Sequence, residues 1–513
     1  MTTTASEIVT TTHGRVRGAT EKGVQVFRGI PYGASTAGEG RFMPPRPPAA
    51  WDGVRDATWW GPLCPQDGPV ATVALSDINT IGALPSLPLS EDCLVLNVWT
   101  PATDRARRPV MFWLHGRGFS AGGGSEAWYN GADLVRRGDV VVVTINHRLN
   151  VFGHLYLGEL GGPEFASSGL AGMLDAVLAL EWVRDNIEAF GGDPGNVMIF
   201  GESGGGAKVS TLLSLPQAKG LFHRAAIQSG PGLRGADPAQ ATAFAERLIG
   251  HLGIQRADLH ALQHLPHERL SAALKEVAGG TGPGGGQNNL RPVVDGAVMP
   301  RHPFDPDAPA TAFDVPVIVG SNRDEHALWA AVDPRRRRLE GHELEERMRP
   351  VLKDRFDRIA AEYRKRPDNT PWDIYLAMMS ERTHRASIAL AERKAAQAAA
   401  GGAPVYMYLF NWSSNFKGGL MKSAHSMEIP FVFDHPDVSP FTGDSPDRAA
   451  VAAVMSQAWI NFARTGNPNG PGLPAWPAYD PARRSTMVFD TKSEAVDAPR
   501  RDELAAWDGI PLA

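Results

Sequence analysis

Gly201-Glu202-Ser203-Gly204-Gly205-Gly206 is the stretch whose residue types and spacing offer the clearest chemistry. It satisfies G-x-S-x-G, the pattern in which a serine sits on a sharp strand-to-helix turn with Oγ projecting from the edge of a sheet. Such a turn strains the serine backbone, and the small residues Gly201 and Gly205 relieve the crowding it causes. A bare G-x-S-x-G also arises by chance in glycine-rich loops, so its flanks decide. Attack by a serine on a carbonyl builds negative charge on oxygen, and donors must already be aimed at it. His115-Gly116-Arg117-Gly118-Phe119 follows an apolar run upstream and suits that task. Backbone N–H groups of Arg117 and Gly118, with that of Gly204, would form the oxyanion hole; the plain alternative is an ordinary glycine turn. The serine also needs a base, and by residue type any of the 15 histidines qualifies.

The elements that must position these residues are legible nearby. LVLNVWT (Leu94–Thr100), VMFWLH (Val110–His115) and VVVVTIN (Val140–Asn146) are short and β-branched or aromatic. They read as strands buried on both faces, as in a mostly parallel sheet. LAGMLDAVLALEWVRDNIEAF (Leu170–Phe190) has helical spacing and stops at Gly191-Gly192. NVMIF (Asn196–Phe200) is the next strand and runs directly into the serine motif, so strand, helix and strand suggest a right-handed βαβ unit. PVIVG (Pro316–Gly320) and PVYMYLF (Pro404–Phe410) predict later strands of the same sheet. Helical patterns near 237–277 and 339–401 read as insertions over the sheet's C-terminal edge, within one domain spanning 1–513. The glycine run Gly279–Gly286 lacks the GK[ST] ending of a phosphate cradle and reads as a loop. Arg335–Arg338 reads as a solvated turn, and His260, His264 and His267 as one solvated helix face.

Composition excludes several classes. The chain of 513 residues is 43% hydrophobic and 21% charged, which is globular. A net charge of −5 argues against a nucleic-acid partner. The opening MTTTASEIVTTTHGRVRG has no basic cluster ahead of an apolar stretch, and no window approaches the roughly 20 apolar residues of a membrane helix. A cytoplasmic enzyme with no membrane partner is therefore expected. The two cysteines, Cys64 and Cys93, form no CxxC or Cys/His cluster, so no structural zinc is expected.

FGGDPGNVMIFGESGGG (Phe190–Gly206) and SEDCLVLNVWTP (Ser90–Pro101) resemble the two signatures of the type B carboxylesterases, the family of cholinesterases and bacterial para-nitrobenzyl esterases. FRGIPYG (Phe27–Gly33), NHRLNVFG (Asn146–Gly153), RPVVDG (Arg291–Gly296) and WINFARTGNPN (Trp459–Asn469) extend the similarity over nearly the whole chain. The resemblance implies an α/β-hydrolase fold: a mostly parallel central sheet, helices on both faces, and helical cap insertions. It implies Ser203 as nucleophile, Glu325 in GSNRDE (Gly320–Glu325) as orienting acid, and His425 in HSMEIPFVF (His425–Phe433) as general base. Asp324 is the acid if the register is off by one. Glu202 would lie near the histidine and favour its charged form, or serve as a salt-bridged elbow residue. Ser229 in AIQSG would support the triad acid. Cys64 and Cys93 match a pair that is bridged in secreted relatives; the expectation here is a geometry that permits the bond and a cytosol that keeps it reduced. The implied reaction is hydrolysis of a small-molecule carboxylic ester through an acyl-enzyme, with no cofactor or metal. Amide or carbamate hydrolysis or acyl transfer by the same residues is the alternative, and a non-catalytic binding module is a more distant one.

Two departures stand out. Arg117 occupies a place where relatives commonly have a small residue, and His326 replaces the glycine that often follows the acid. The Arg117 N–H should point into the oxyanion hole. Its side chain should pair with a carboxylate and stiffen the turn in preference to facing the substrate. Phe119, Trp128, Tyr129, Trp329 and Phe431 are candidates to line an acyl or alcohol pocket.

Overall fold

A computed structural model describes residues 4–66, 86–278, 290–333, 335 and 337–512. The described strands are β1 (Thr4–Thr10), β2 (Arg15–Glu21), β3 (Val24–Pro31), β4 (Val54–Asp56), β5 (Val95–Thr100), β6 (Arg108–Leu114) and β7 (Val141–Ile145). They continue as β8 (Gly192–Glu202), β9 (Arg224–Gln228), β10 (Val317–Asn322), β11 (Val405–Phe410), β12 (Ser485–Phe489) and β13 (Glu494–Asp497). All join one sheet in the order β1-β2-β3-β5-β7-β6-β8-β9-β10-β11-β12-β13, with β4 beside β2. From β7 to β12 every pairing is parallel. β5 corrects the expectation for Leu94–Thr100: it is buried on both faces but runs antiparallel to β7.

Alternation along β6 explains why the sheet is covered twice. Val110, Phe112 and Leu114 enter one apolar core, while Met111 and Trp113 enter a second on the other face. The helix Ala171–Asn186 fills the first core with Met173, Val177, Leu180 and Val183. The helix Arg448–Thr465 fills the second with Trp459, Ile460 and Phe462. Pro163–Phe190 reaches a mean hydropathy of 1.2, long and apolar enough by composition to cross a membrane, but 72% of its most apolar window is buried in the protein. It is the exception to the expectation that no window would approach that length.

The segment 237–277 forms helices Pro238–His251 and His267–Val277, packed on each other. Pro266 separates His264 from His267, so His260, His264 and His267 do not share one helix face. In 339–401 the helix Pro371–Ala399 departs from the expected insertion. It packs across β10 and β11, with Trp372 and Leu376 in one core and Leu390 and Ala391 in the other. Arg335 pairs with Glu343 at 3.1 Å. The Gly279–Gly286 run and Arg336 lie outside the described residues.

Cys64 and Cys93 are buried free thiols. A hydrogen bond between the two side chains and burial hold the Cys93 thiol well above its ordinary pKa. The pair is therefore in contact but unbridged.

Candidate active site

β8 ends at Glu202, the helix Gly204–Leu212 begins two residues later, and Ser203 between them has φ +57° and ψ −120°. A non-glycine residue there carries strain of about 1–3 kcal/mol, which only a surrounding that fixes the turn sustains. Three neighbours do so. The Ser203 N–H donates to Gln228 O at 2.8 Å, at the end of β9. A Cβ on Gly205 would lie 2.0 Å from Leu114 O, and one on Gly230 would lie 1.8 Å from Ser203 O. The turn is thus clamped between the ends of β6 and β9, and Gly205 and Gly230 are glycines because backbone approaches too closely for a side chain.

The turn after β6 lies against this elbow. A Cβ on Gly204 would fall 2.4 Å from Gly118 N, and one on Gly116 would be 3.6 Å from Ser203 Cβ. The N–H groups of Gly118 and Gly204 donate to no acceptor among the described residues. Arg117 has φ +66° and Gly118 φ +63°. The strain at Arg117 is held by its side chain: Nε meets Glu126 Oε1 at 2.9 Å and a terminal nitrogen meets Oε2 at 3.3 Å. Burial pushes the Glu126 pKa up while the arginine opposes it. The sequence favoured a pairing of Arg117 with a carboxylate, and the structure places Glu126 there.

The acid–base side comes from the far strands. Glu325 follows β10 and His425 follows β11, and His425 Nδ1 lies 2.5 Å from Glu325 Oε2. The other Glu325 oxygen accepts the Asn322 N–H at 2.9 Å. Asp324, the register alternative, turns instead to Arg323 Nε at 2.8 Å. His425 Nε2 faces Glu202 Oε1 at 3.2 Å and makes no hydrogen bond with Ser203 Oγ in this structure. Trp329 packs on the same imidazole with ring centres 4.8 Å apart. His326 sits behind, its pKa lowered by burial to about 4.

Ser229 departs from expectation: its Oγ bonds Glu428 Oε1 at 3.4 Å, not Glu325. Glu428 was not singled out from the sequence, although it lies inside HSMEI, a carboxylate next to the apolar run IPFVF. It accepts Asn322 Nδ2 at 2.6 Å. Three buried carboxylates, Glu202, Glu325 and Glu428, therefore surround one imidazole. Burial raises the pKa values of Glu202 and Glu428. For His425 burial acts the other way, but the negative charges of Glu202 and Glu325 overcome it and raise the pKa. The arrangement favours the imidazolium that forms when a base takes a proton from serine.

Of the aromatic candidates, Phe431 packs on Phe410 and Trp412, and Trp128 and Tyr129 lie in the core; Trp329 touches the site. Among the described residues no group of three His, Cys, Asp or Glu side chains is arranged to hold a metal ion.

Comparison with known proteins agrees with this geometry. Residues 5–507 match the sequence profile of the carboxylesterase family. The chain is 35% identical to the para-nitrobenzyl esterase of Bacillus subtilis, over 97% of each protein. It is 36% identical to the phenmedipham hydrolase of Pseudarthrobacter oxydans, over 97% of this chain and 98% of that one. A carboxylesterase of Geobacillus stearothermophilus superposes with a TM-score of 0.82 at 42% identity, covering 98% of this chain and 100% of the other. The chain belongs to the carboxylesterase family.

Proposed function

We propose that ester hydrolysis by this carboxylesterase-family enzyme runs on Ser203, His425 and Glu325. Ser203 Oγ attacks the ester carbonyl while His425 Nε2 takes its proton. The new Oγ–C bond forms, the C–O bond to the alcohol breaks, and His425 returns the proton to the departing alcohol. Water, deprotonated by His425, then releases the acid. Glu325 holds Nδ1–H and orients the ring. The amides of Arg117, Gly118 and Gly204 receive the charge on the carbonyl oxygen. The observation that carries this reading is the 2.5 Å His425–Glu325 contact beside a serine held at φ +57°.

The test is a panel of nitrophenyl esters, aryl carbamates and anilides, with phenmedipham, after which the Pseudarthrobacter oxydans relative is named, included. Esters should turn over fastest, and Ser203→Ala should lose the activity on every substrate by several orders of magnitude. Carbamates or anilides turned over faster than esters would favour the second reading. The chain is further read as one hydrolase domain in the cytoplasm. On that reading, protein alkylated at lysis carries two blocked thiols, Cys64 and Cys93; none would overturn the location.

A further inference from the structure

Beneath the turn after β6 lies a buried cation without a counter-charge. Lys208, on the helix that begins at Gly204, is fully buried, and its Nζ donates to His115 O at 2.9 Å. The ring of Phe119 lies 5.8 Å from the same nitrogen. Arg117 is answered by Glu126, and the buried Arg148 by Asp175 at 2.6 Å. Lys208 has no carboxylate partner among the described residues.

Three buried imidazoles, those of His115, His147 and His154, lie near enough to feel the Lys208 charge. His115 and His147 stack with ring centres 4.9 Å apart, and His154 meets Phe119 at 5.1 Å. Each presents Nδ1 to a backbone carbonyl: Gly116 O at 3.1 Å, Arg148 O at 2.8 Å and Gly169 O at 3.4 Å. That contact assigns the proton to Nδ1 and leaves Nε2 with a lone pair. All three Nε2 atoms are buried and meet no hydrogen-bond partner among the described residues. Burial, with the Lys208 charge, keeps all three rings neutral; the charges acting on them come from Lys208, Arg117 and Arg148. An ammonium has three protons to donate, and the His115 carbonyl takes one. That carbonyl is the ammonium's one hydrogen-bond acceptor among the described residues, and no carboxylate neutralises it. An uncompensated buried charge is costly, and such a cost persists where function uses it.

We propose that Lys208 is a positioning residue of the oxyanion turn, anchoring His115–Gly118 through the His115 carbonyl and adding a buried positive charge whose counter-ion is the oxyanion formed at Ser203. The inference rests on the catalytic reading above. It deepens that reading by naming a charge behind the amides. The ammonium touches no substrate; it acts through the turn and through space. Burial pushes its pKa down to about 7, so the charge fades as pH rises through neutrality.

The test compares Lys208→Met, which keeps length without charge, with Lys208→Arg, which restores charge. The readouts are kcat, KM and inhibition by an aryl trifluoromethyl ketone, which forms an oxyanion on the nucleophilic serine. Lys208→Met should lower kcat and weaken the ketone by about tenfold or more, with KM within about twofold of the parent, and Lys208→Arg should recover part of both losses. The parent's ketone affinity should fall above neutral pH, and this limb should be absent from Lys208→Met. A folded Lys208→Met protein with parental kcat and ketone affinity overturns the proposal, as does an arginine variant no better than methionine. If Lys208→Met does not fold, the parent decides: ketone affinity without that alkaline fall overturns the proposal. Failure of the underlying reading looks different, because the ketone would then bind the parent and Ser203→Ala equally, and both conclusions would fall.

Discussion

The two flanks of Ser203 carry opposite charge. On the side of β10 and β11, the buried carboxylates of Glu325 and Glu428, joined by Glu202 from the end of β8, crowd one imidazole and raise its affinity for a proton. On the side of β6, Lys208 lies under a turn of backbone amides whose Arg117 is answered by Glu126, among imidazoles that burial keeps neutral. The sheet order sets Lys208's turn apart from Glu325 and Glu428, because β8 bears the serine and Glu202 between β6 on one edge and β9, β10 and β11 on the other. The difference teaches what the site is polarised for. In the proposed reaction a neutral serine and imidazole become an oxyanion and an imidazolium. Charges already in place then stabilise both without reorganising when the reaction occurs.

The largest blow to the anionic flank should come from Glu325→Gln, which keeps the shape but removes the charge at Nδ1. A loss of about 10³–10⁴ in kcat is expected, with KM little changed. A loss below about tenfold in steady-state kinetics on a nitrophenyl ester would show that Glu325 does not orient the base.

Next comes the cationic flank. Arg117→Gly should lower kcat by about tenfold, on neutral and carboxylate-bearing esters alike, because the turn loses its Glu126 strut. A loss confined to carboxylate-bearing esters and seen in KM would mean that Arg117 reads the substrate instead.

A smaller effect is expected from Glu202→Gln, and its sign follows from the geometry. Glu202 lies 3.2 Å from His425 Nε2 and raises the imidazole pKa, so removing its charge lowers that pKa. The base then survives to lower pH, and the acidic limb of kcat/KM should move down by about one unit. An upward shift, or none, would remove Glu202 from the proton-holding group. Glu428→Gln should move the limb the same way but less, since Glu428 acts less strongly on the ring than Glu202 or Glu325.

The sequence and the molecule agree best where chemistry forces an unusual backbone. Ser203 at its positive φ, and the glycines pressed against it, leave a pattern that is readable without coordinates. Strand direction leaves none: β5 has the same fully buried apolar character as β7, yet runs opposite to it. The first strands, β1 to β3, were not anticipated, because short alternating runs such as Arg15–Glu21 look like surface loops until they pair. Glu428 and Lys208 were missed for another reason. A single polar residue in a buried stretch carries no spacing, and its meaning depends on partners distant in sequence, such as Ser229 for Glu428 and His115 for Lys208. The motif around Ser229 marks its position but not the direction of its hydroxyl, which turns to Glu428 and not to Glu325.

The proposed reaction requires that Ser203, between the two charged flanks, supplies the atom that reacts. Treating the protein with a serine-directed fluorophosphonate and mapping the modified peptide by mass spectrometry tests this most directly. One label per chain, on Ser203, appearing in step with loss of esterase activity and absent from folded Ser203→Ala, is the predicted result. A label on another serine, with ester hydrolysis intact in Ser203→Ala, would contradict it.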